Sequence, residues 1–121
     1  MAERFDAAAL ARLAAEREVS VRTARHPGRA VVIWVVVVGE TVFARSVRGR
    51  RGQWLRDLLA EDAATLEWQG GSHAVRAVPV TDAAAIAAVS QAYLAKYADS
   101  PYAAAMVRAD VLDTTLRLDA V

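Results

Sequence analysis

The run AVVIWVVVV, Ala30 to Val38, constrains the fold more than any other part of this chain. Nine consecutive apolar residues, most of them β-branched, favour extended backbone, because branching at Cβ restricts χ1 in a helix. The run is less than half the ~20 residues that a membrane-spanning helix requires. Both of its faces are apolar, so it predicts a strand covered on both sides, in the centre of a sheet.

The flanking segments supply partners for that strand. In EVSVRTAR, Val19, Val21 and Thr23 alternate with Ser20, Arg22 and Ala24, the period of a half-buried strand. His26-Pro27-Gly28-Arg29 then provides turn chemistry. Gly39-Glu40 makes a tight turn into TVFARSV, where Phe43, Arg45 and Val47 point one way and Val42, Ala44 and Ser46 the other. ATLEW and HAVRAVPV read as two further strands joined at Gly70-Gly71, and DTTLRLD as a last one. Helices are predicted after Asp6, acting as N-cap, after Asp82, with Asp82 or Thr81 before it as the cap, and over QWLRDLLAED. The second of these carries Ile86, Val89, Tyr93 and Tyr97 on one face. A short helical turn is expected after Pro101. The expectation is therefore one α+β domain over residues 1–121, with six antiparallel strands closed into a small barrel and flanked by helices.

Composition narrows the function. With 15 basic and 14 acidic residues, the chain has a formal charge of +1 and no global field to attract polyanions. There is no cysteine, so disulfides, iron–sulfur ligation and thiol nucleophiles are excluded. The charged N-terminal segment lacks the apolar core of a signal peptide, which makes the cytoplasm the expected location. Neither a metal-ligand spacing nor a GxSxG serine motif is present, so no metal is expected and a serine triad is disfavoured. Tyr93 and Lys96 are one residue too close for the tyrosine–lysine pair of short-chain dehydrogenases, and no glycine-rich dinucleotide loop accompanies them.

Two clusters remain. Tyr93, Lys96 and Tyr97 share one helical face, and Lys96 is the chain's single lysine. They read either as acid–base residues or as core tyrosines beside an outward-reaching lysine. RSVRGRRGQW, from Arg45 to Trp54, has three readings. Nucleic-acid binding requires a wider basic face than the four arginines of this segment. Capture of a phosphate or carboxylate at the start of the following helix is physically sound. A solvated loop is the third. Strand parity puts Arg45 and Ser46 on opposite faces, so a single pocket takes both only if the strand bends or a second subunit contributes.

The order VSVRTARHPGR, VVIWVVVVGETVFARS and GRRGQWLRDLL resembles the flavin-binding split-barrel families, especially the deazaflavin-dependent nitroreductase branch. Extended through AYLAKY and TTLRL, it resembles an uncharacterised bacterial domain family placed beside them. The resemblance covers residues 5 to 119. It implies a six-stranded split β-barrel, a homodimer with no nucleic-acid or membrane partner, and a small-molecule pocket at the dimer interface. By that resemblance FMN or a deazaflavin is the cofactor, held by Arg45, Ser46, Arg50, Arg51 and Trp54. Trp34, Arg22 and His73 would line the substrate pocket, and Tyr93, Tyr97 or Lys96 would act as acid or base. The ARHPGR turn departs from the lysine-containing pattern of the flavin-binding relatives, which weakens the phosphate contact implied on that side. Two other uses of the same barrel stay open: a cofactor-independent isomerase, cyclase or lyase of a small metabolite, and a non-catalytic module for an anionic ligand.

Overall fold

The computed structural model describes residues 4–121. Helix α1 spans Ala7–Ala15, and Asp6 caps it: its Oδ1 accepts from the Ala9 N–H at 2.7 Å. Strand β1 (Val19–Thr23) buries Val19, Val21 and Thr23, the alternation its sequence predicts.

The apolar run departs from its expected form. It makes two short strands, β2 (Val31–Ile33) and β3 (Val35–Val38), with Trp34 between them. The strands and α-helices that remain are β4 (Thr41–Ala44), α2 (Gln53–Ala60), β5 (Ala63–Trp68), β6 (Gly71–Pro79), α3 (Ala83–Lys96) and β7 (Leu116–Ala120), with a 3-10 turn at Gly49–Arg51 between β4 and α2. Asp82 caps α3 by accepting from the Ala85 N–H at 2.8 Å. The stretch after Pro101 forms two 3-10 turns, at Ala103–Val107 and Ala109–Thr114.

The sheet thus has seven strands where six were expected, antiparallel at every pairing, in the order β2-β1-β5-β6-β7-β4-β3. Strands β2 and β3 stand at its two ends although one residue separates them in sequence. The sheet must therefore curl until its ends meet at Trp34, giving a nearly closed barrel. Trp34 leaves both ladders because α3 holds it elsewhere. Its ring lies flat on Tyr97, centroids 3.9 Å apart at 4°, and its carbonyl accepts from Tyr93 Oη at 2.7 Å. The apolar run is the seam of the barrel, not the centre of the sheet.

Burial on both faces holds in the β3 half of that run, whereas Val32 in β2 is exposed. Val35 points into the barrel with Val21, Val42, Leu66, Leu116 and Leu118, while Val36 points out beneath α3 with Phe43, Val89 and Met106. Each such side chain contributes roughly 1.5–3 kcal/mol when fully buried. The parity predicted along β4 also holds. Val42 and Ala44 enter the inner core, whereas Phe43 joins the outer one and Arg45 follows it. The β3–β4 and β5–β6 turns use Gly39 and Gly70 at φ +63° and +92°, values that other residues rarely adopt. No helix among the described residues is long and apolar enough to cross a membrane.

Candidate functional site

Arg45 is buried, and its side chain is committed to the protein. Nε donates to Thr115 Oγ1 at 2.8 Å, Nη1 to Ser90 Oγ at 2.8 Å and to the Met106 carbonyl at 3.0 Å, and Nη2 to the Ile86 carbonyl at 2.8 Å. The guanidinium also sits 5.7 Å from the centre of the Tyr93 ring. Burial lowers its pKa, with Tyr93 acting in the opposite sense. Arg45, just after β4, therefore ties together α3, the Ala103–Val107 turn and the residue that leads into β7.

The α3 cluster is likewise occupied. Tyr93 Oη donates to the Trp34 carbonyl and Tyr97 Oη to the Arg17 carbonyl, both at 2.7 Å. Lys96 Nζ does not reach outward; it donates to the carbonyls of Leu13 at 2.9 Å and Val35 at 2.7 Å. Burial raises both phenols above their ordinary value. Burial, with Arg17 adding to it and Glu16 opposing, pushes the lysine down to about 8. Together the three side chains clamp α1, the barrel seam and α3.

Two adjoining recesses lie where β2, the segment after β4 and the start of α2 meet. The first, about 160 Å³, is of mixed character: Thr23, His26, Arg29, Ser46, Arg48 and Asp57 share its lining with Val31, Val32, Val47 and Trp54. At its base is a hydrogen-bonded group that local sequence patterns did not reveal. Asp57, 4% exposed, accepts from Thr23 Oγ1 at 2.8 Å and from His26 Nδ1 at 2.6 Å on one oxygen, and from Gln53 Nε2 at 2.9 Å on the other. Burial works against its ionisation, but the bonds from Gln53, His26 and Thr23 outweigh that and hold the carboxyl below its ordinary value. With Nδ1 committed to Asp57, the imidazole has only Nε2 to offer a ligand. The one available sequence signal was Asp57 itself, an acid among Trp54, Leu55 and Leu58 on the buried side of α2.

Ser46 completes this recess. It is 1% exposed, and its Oγ is the only buried side-chain polar atom among the described residues that lacks a hydrogen-bond partner. Such a hydroxyl costs about 1–3 kcal/mol unless a ligand satisfies it. Gly52 makes room for it: a Cβ there would lie 2.3 Å from Ser46 Oγ. Gly52 is also the N-cap of α2 and brings no side chain to its first N–H groups. Neither Arg29 nor Arg48 has a carboxylate partner among the described residues. A recess lined by imidazole, two guanidinium groups and the start of a helix suits an oxyanion.

The second recess, about 350 Å³, is mainly apolar and includes Trp34, Trp54, Tyr102, Ala105 and Met106, with Arg45 and Glu18 at its edge. Val32, Val47 and Trp54 line both recesses, so the two adjoin along these three side chains. Tyr102, Val32 and Val47 are 70%, 58% and 45% exposed, leaving an apolar margin open to solvent.

The remaining sequence-selected residues lie elsewhere. Arg50 pairs with Asp113 at 2.7 Å on the surface, and Arg51 is exposed. Arg22 is engaged by Glu67 at 2.9 Å and by the Pro27 carbonyl at 3.2 Å. His73 contacts Phe5 edge-on at 5.2 Å and shares a separate surface groove with Arg12 and Trp68. Of the expected set, Ser46, Trp54, Trp34 and Arg45 line the joined groove.

Several solved structures share this architecture. An FAD-binding protein (mll6688) from Mesorhizobium loti superposes with a TM-score of 0.58 at 16% identity, over 100% of this chain and 94% of that one. An F420 reductase gives 0.54 at 14% identity, over 92% and 91%. The heme storage protein HutZ from Vibrio cholerae gives 0.58 at 11% identity, over 90% and 85%. At these identities the likeness is one of fold. No curated protein matches the sequence. Residues 9–118 match the family described as an uncharacterized protein conserved in bacteria (DUF2255), and the chain belongs to that family.

Proposed function

We propose that this chain is an oxidoreductase subunit that binds a flavin or deazaflavin in the joined groove and acts on a small organic molecule beside it. The observation that carries the reading is the meeting, at Trp54, of a basic recess containing an unpartnered buried hydroxyl with an aromatic-lined apolar one. FMN has the same two-part character, a phosphate and a flat ring. Ser46, Arg29 and Arg48 would hold the phosphate. Trp34, Trp54 and Val32 would lie against the ring. Bound there, the ring would supply hydride chemistry, while the chain would orient it and exclude water. The fold-sharing FAD-binding protein and F420 reductase support the same class.

A homodimer belongs to this proposal. The exposed margin of Val32, Val47 and Tyr102 is open on one side, and a second copy laid over it would enclose the ring. The His26–Asp57 pair favours a second reading, a cofactor-independent acid–base enzyme in the same groove. Absorption titrations of the purified protein with FMN, F420 and hemin, with its mass measured in solution, separate these. Micromolar affinity for FMN or F420 in a dimer is expected. Affinity weaker than about a millimolar for both, or tight binding of hemin alone, overturns the proposal.

A further inference from the structure

We propose that His26 is the acid–base residue of the groove, exchanging a proton through Nε2 with an oxygen of the bound oxyanion, and that Asp57 is its positioning partner. The inference rests on the oxyanion site described above but not on the identity of the cofactor. Asp57 is buried and ionised, so both of its oxygens can only accept hydrogen bonds. The 2.6 Å contact to His26 Nδ1 therefore fixes a proton on Nδ1 whether the ring is neutral or charged. Thr23 donates to the same oxygen as the histidine, and Gln53 holds the other. All gain and loss of a proton must then occur at Nε2. In solution the neutral ring prefers the opposite tautomer, so this arrangement is imposed by the fold.

The recess gives that nitrogen something to act on. Ser46 Oγ, unpartnered and 1% exposed, lines the same cavity and marks a place for an oxygen-bearing ligand. The charged groups facing this space are Asp57 from α2, Arg29 from the β1–β2 turn and Arg48 from the segment after β4. In the forward step the Nε2–H bond breaks as an O–H bond forms on the ligand, and the imidazolium becomes neutral imidazole. Water reaches the ring, whose side chain is 48% exposed, and restores the proton. Reversal of the same step makes Nε2 the base.

Ring-nitrogen NMR of the whole chain, read with sulfate as probe, tests this. Sulfate keeps its double charge between pH 5 and 9, so any pH dependence of its binding belongs to the protein. Nδ1 should remain protonated throughout, Nε2 should titrate, and saturating sulfate should move the His26 midpoint upward by at least half a unit. His26→Gln should weaken sulfate about tenfold at pH 5.5 and less than twofold at pH 8.5, the size of one charge-assisted hydrogen bond. Asp57→Asn should let the neutral ring shift toward the Nε2–H tautomer while the chain stays folded. A titrating Nδ1, a midpoint that ignores sulfate, or no sulfate binding at 50 mM each overturns the inference. FMN bound in a protein whose His26 ignores sulfate would sink this inference and leave the proposed function standing. Sulfate-linked His26 in a protein that refuses flavins would do the reverse.

Discussion

Removing the Arg45 side chain should damage stability before it damages ligand binding. The guanidinium donates four hydrogen bonds, to Thr115, Ser90, Met106 and Ile86, and no carboxylate among the described residues pairs with it. Bonds from a charged donor are worth about 1.5–3 kcal/mol each, so their gross loss is on the order of 6 kcal/mol or more. Part of that is offset, because a buried charge carries a desolvation penalty that its removal relieves. Arg45→Ala also leaves the volume of the side chain unfilled, and the net destabilisation should be about 3–5 kcal/mol. Arg45→Met, which keeps the apolar stem, should lose about 2–3 kcal/mol. Arg45→Lys should fare little better than Met, since one ammonium cannot reach α3, the Ala103–Val107 turn and Thr115 together. Urea unfolding followed by tryptophan fluorescence reads these differences as shifts in midpoint at constant slope. A loss below about 1 kcal/mol in Arg45→Ala, accompanied by a tenfold or larger fall in FMN or sulfate affinity, would refute the reasoning and return Arg45 to the ligand.

Three further outcomes follow from the same geometry. Ser46→Ala removes a buried hydroxyl without a partner, so it should raise stability by about 1 kcal/mol and the melting temperature by about 4 °C, while weakening FMN several-fold. Lys96, pushed down to about 8, binds fewer protons folded than unfolded between that value and the ordinary lysine value. Stability relative to Lys96→Met should therefore rise with pH across roughly 8 to 10.5 and be flat below, measured by urea midpoints of both proteins. Asp57 has its folded pKa below its unfolded one, so it stabilises above the unfolded value near 3.9 and loses this as pH falls through the folded value. Asp57→Asn should cost about 2–3 kcal/mol at pH 7, with the difference from the native chain narrowing below about pH 4.

Local periodicity made much of the barrel legible. Alternation placed Val42 and Ala44 inside and Phe43 and Arg45 outside, and two aspartates announced their helices. The break at Trp34 had no local signal, because an unbroken apolar run contains no punctuation. Its causes are Tyr93 and Tyr97, some sixty residues onward, whose ring and hydroxyl draw Trp34 out of the sheet. Arg45 shows the converse limit. Its parity was readable, but its polar partners come from α3, a later turn and Thr115 before β7, so an arginine in a basic stretch looked like a ligand contact. The His26–Asp57 pair joins a turn to a helix 31 positions away, a spacing that belongs to no short motif. Only the burial of Asp57 among apolar neighbours on α2 hinted at it. Ser46 was selected for a ligand role from its place in the segment; that its buried hydroxyl lacks a partner and lies against Gly52 was not legible there.

The central claim is that the basic recess and the aromatic recess serve one ligand with an anionic end and a flat ring. Equilibrium binding of FMN and of riboflavin, which share the ring and differ by the phosphate, tests it most directly. Protein fluorescence is a natural signal, since Trp34 and Trp54 line the groove. FMN should bind at least tenfold more tightly than riboflavin, and Arg29→Ala with Arg48→Ala should erase that advantage while leaving riboflavin affinity unchanged. Equal affinities, or an FMN advantage that survives loss of both arginines, would contradict the claim.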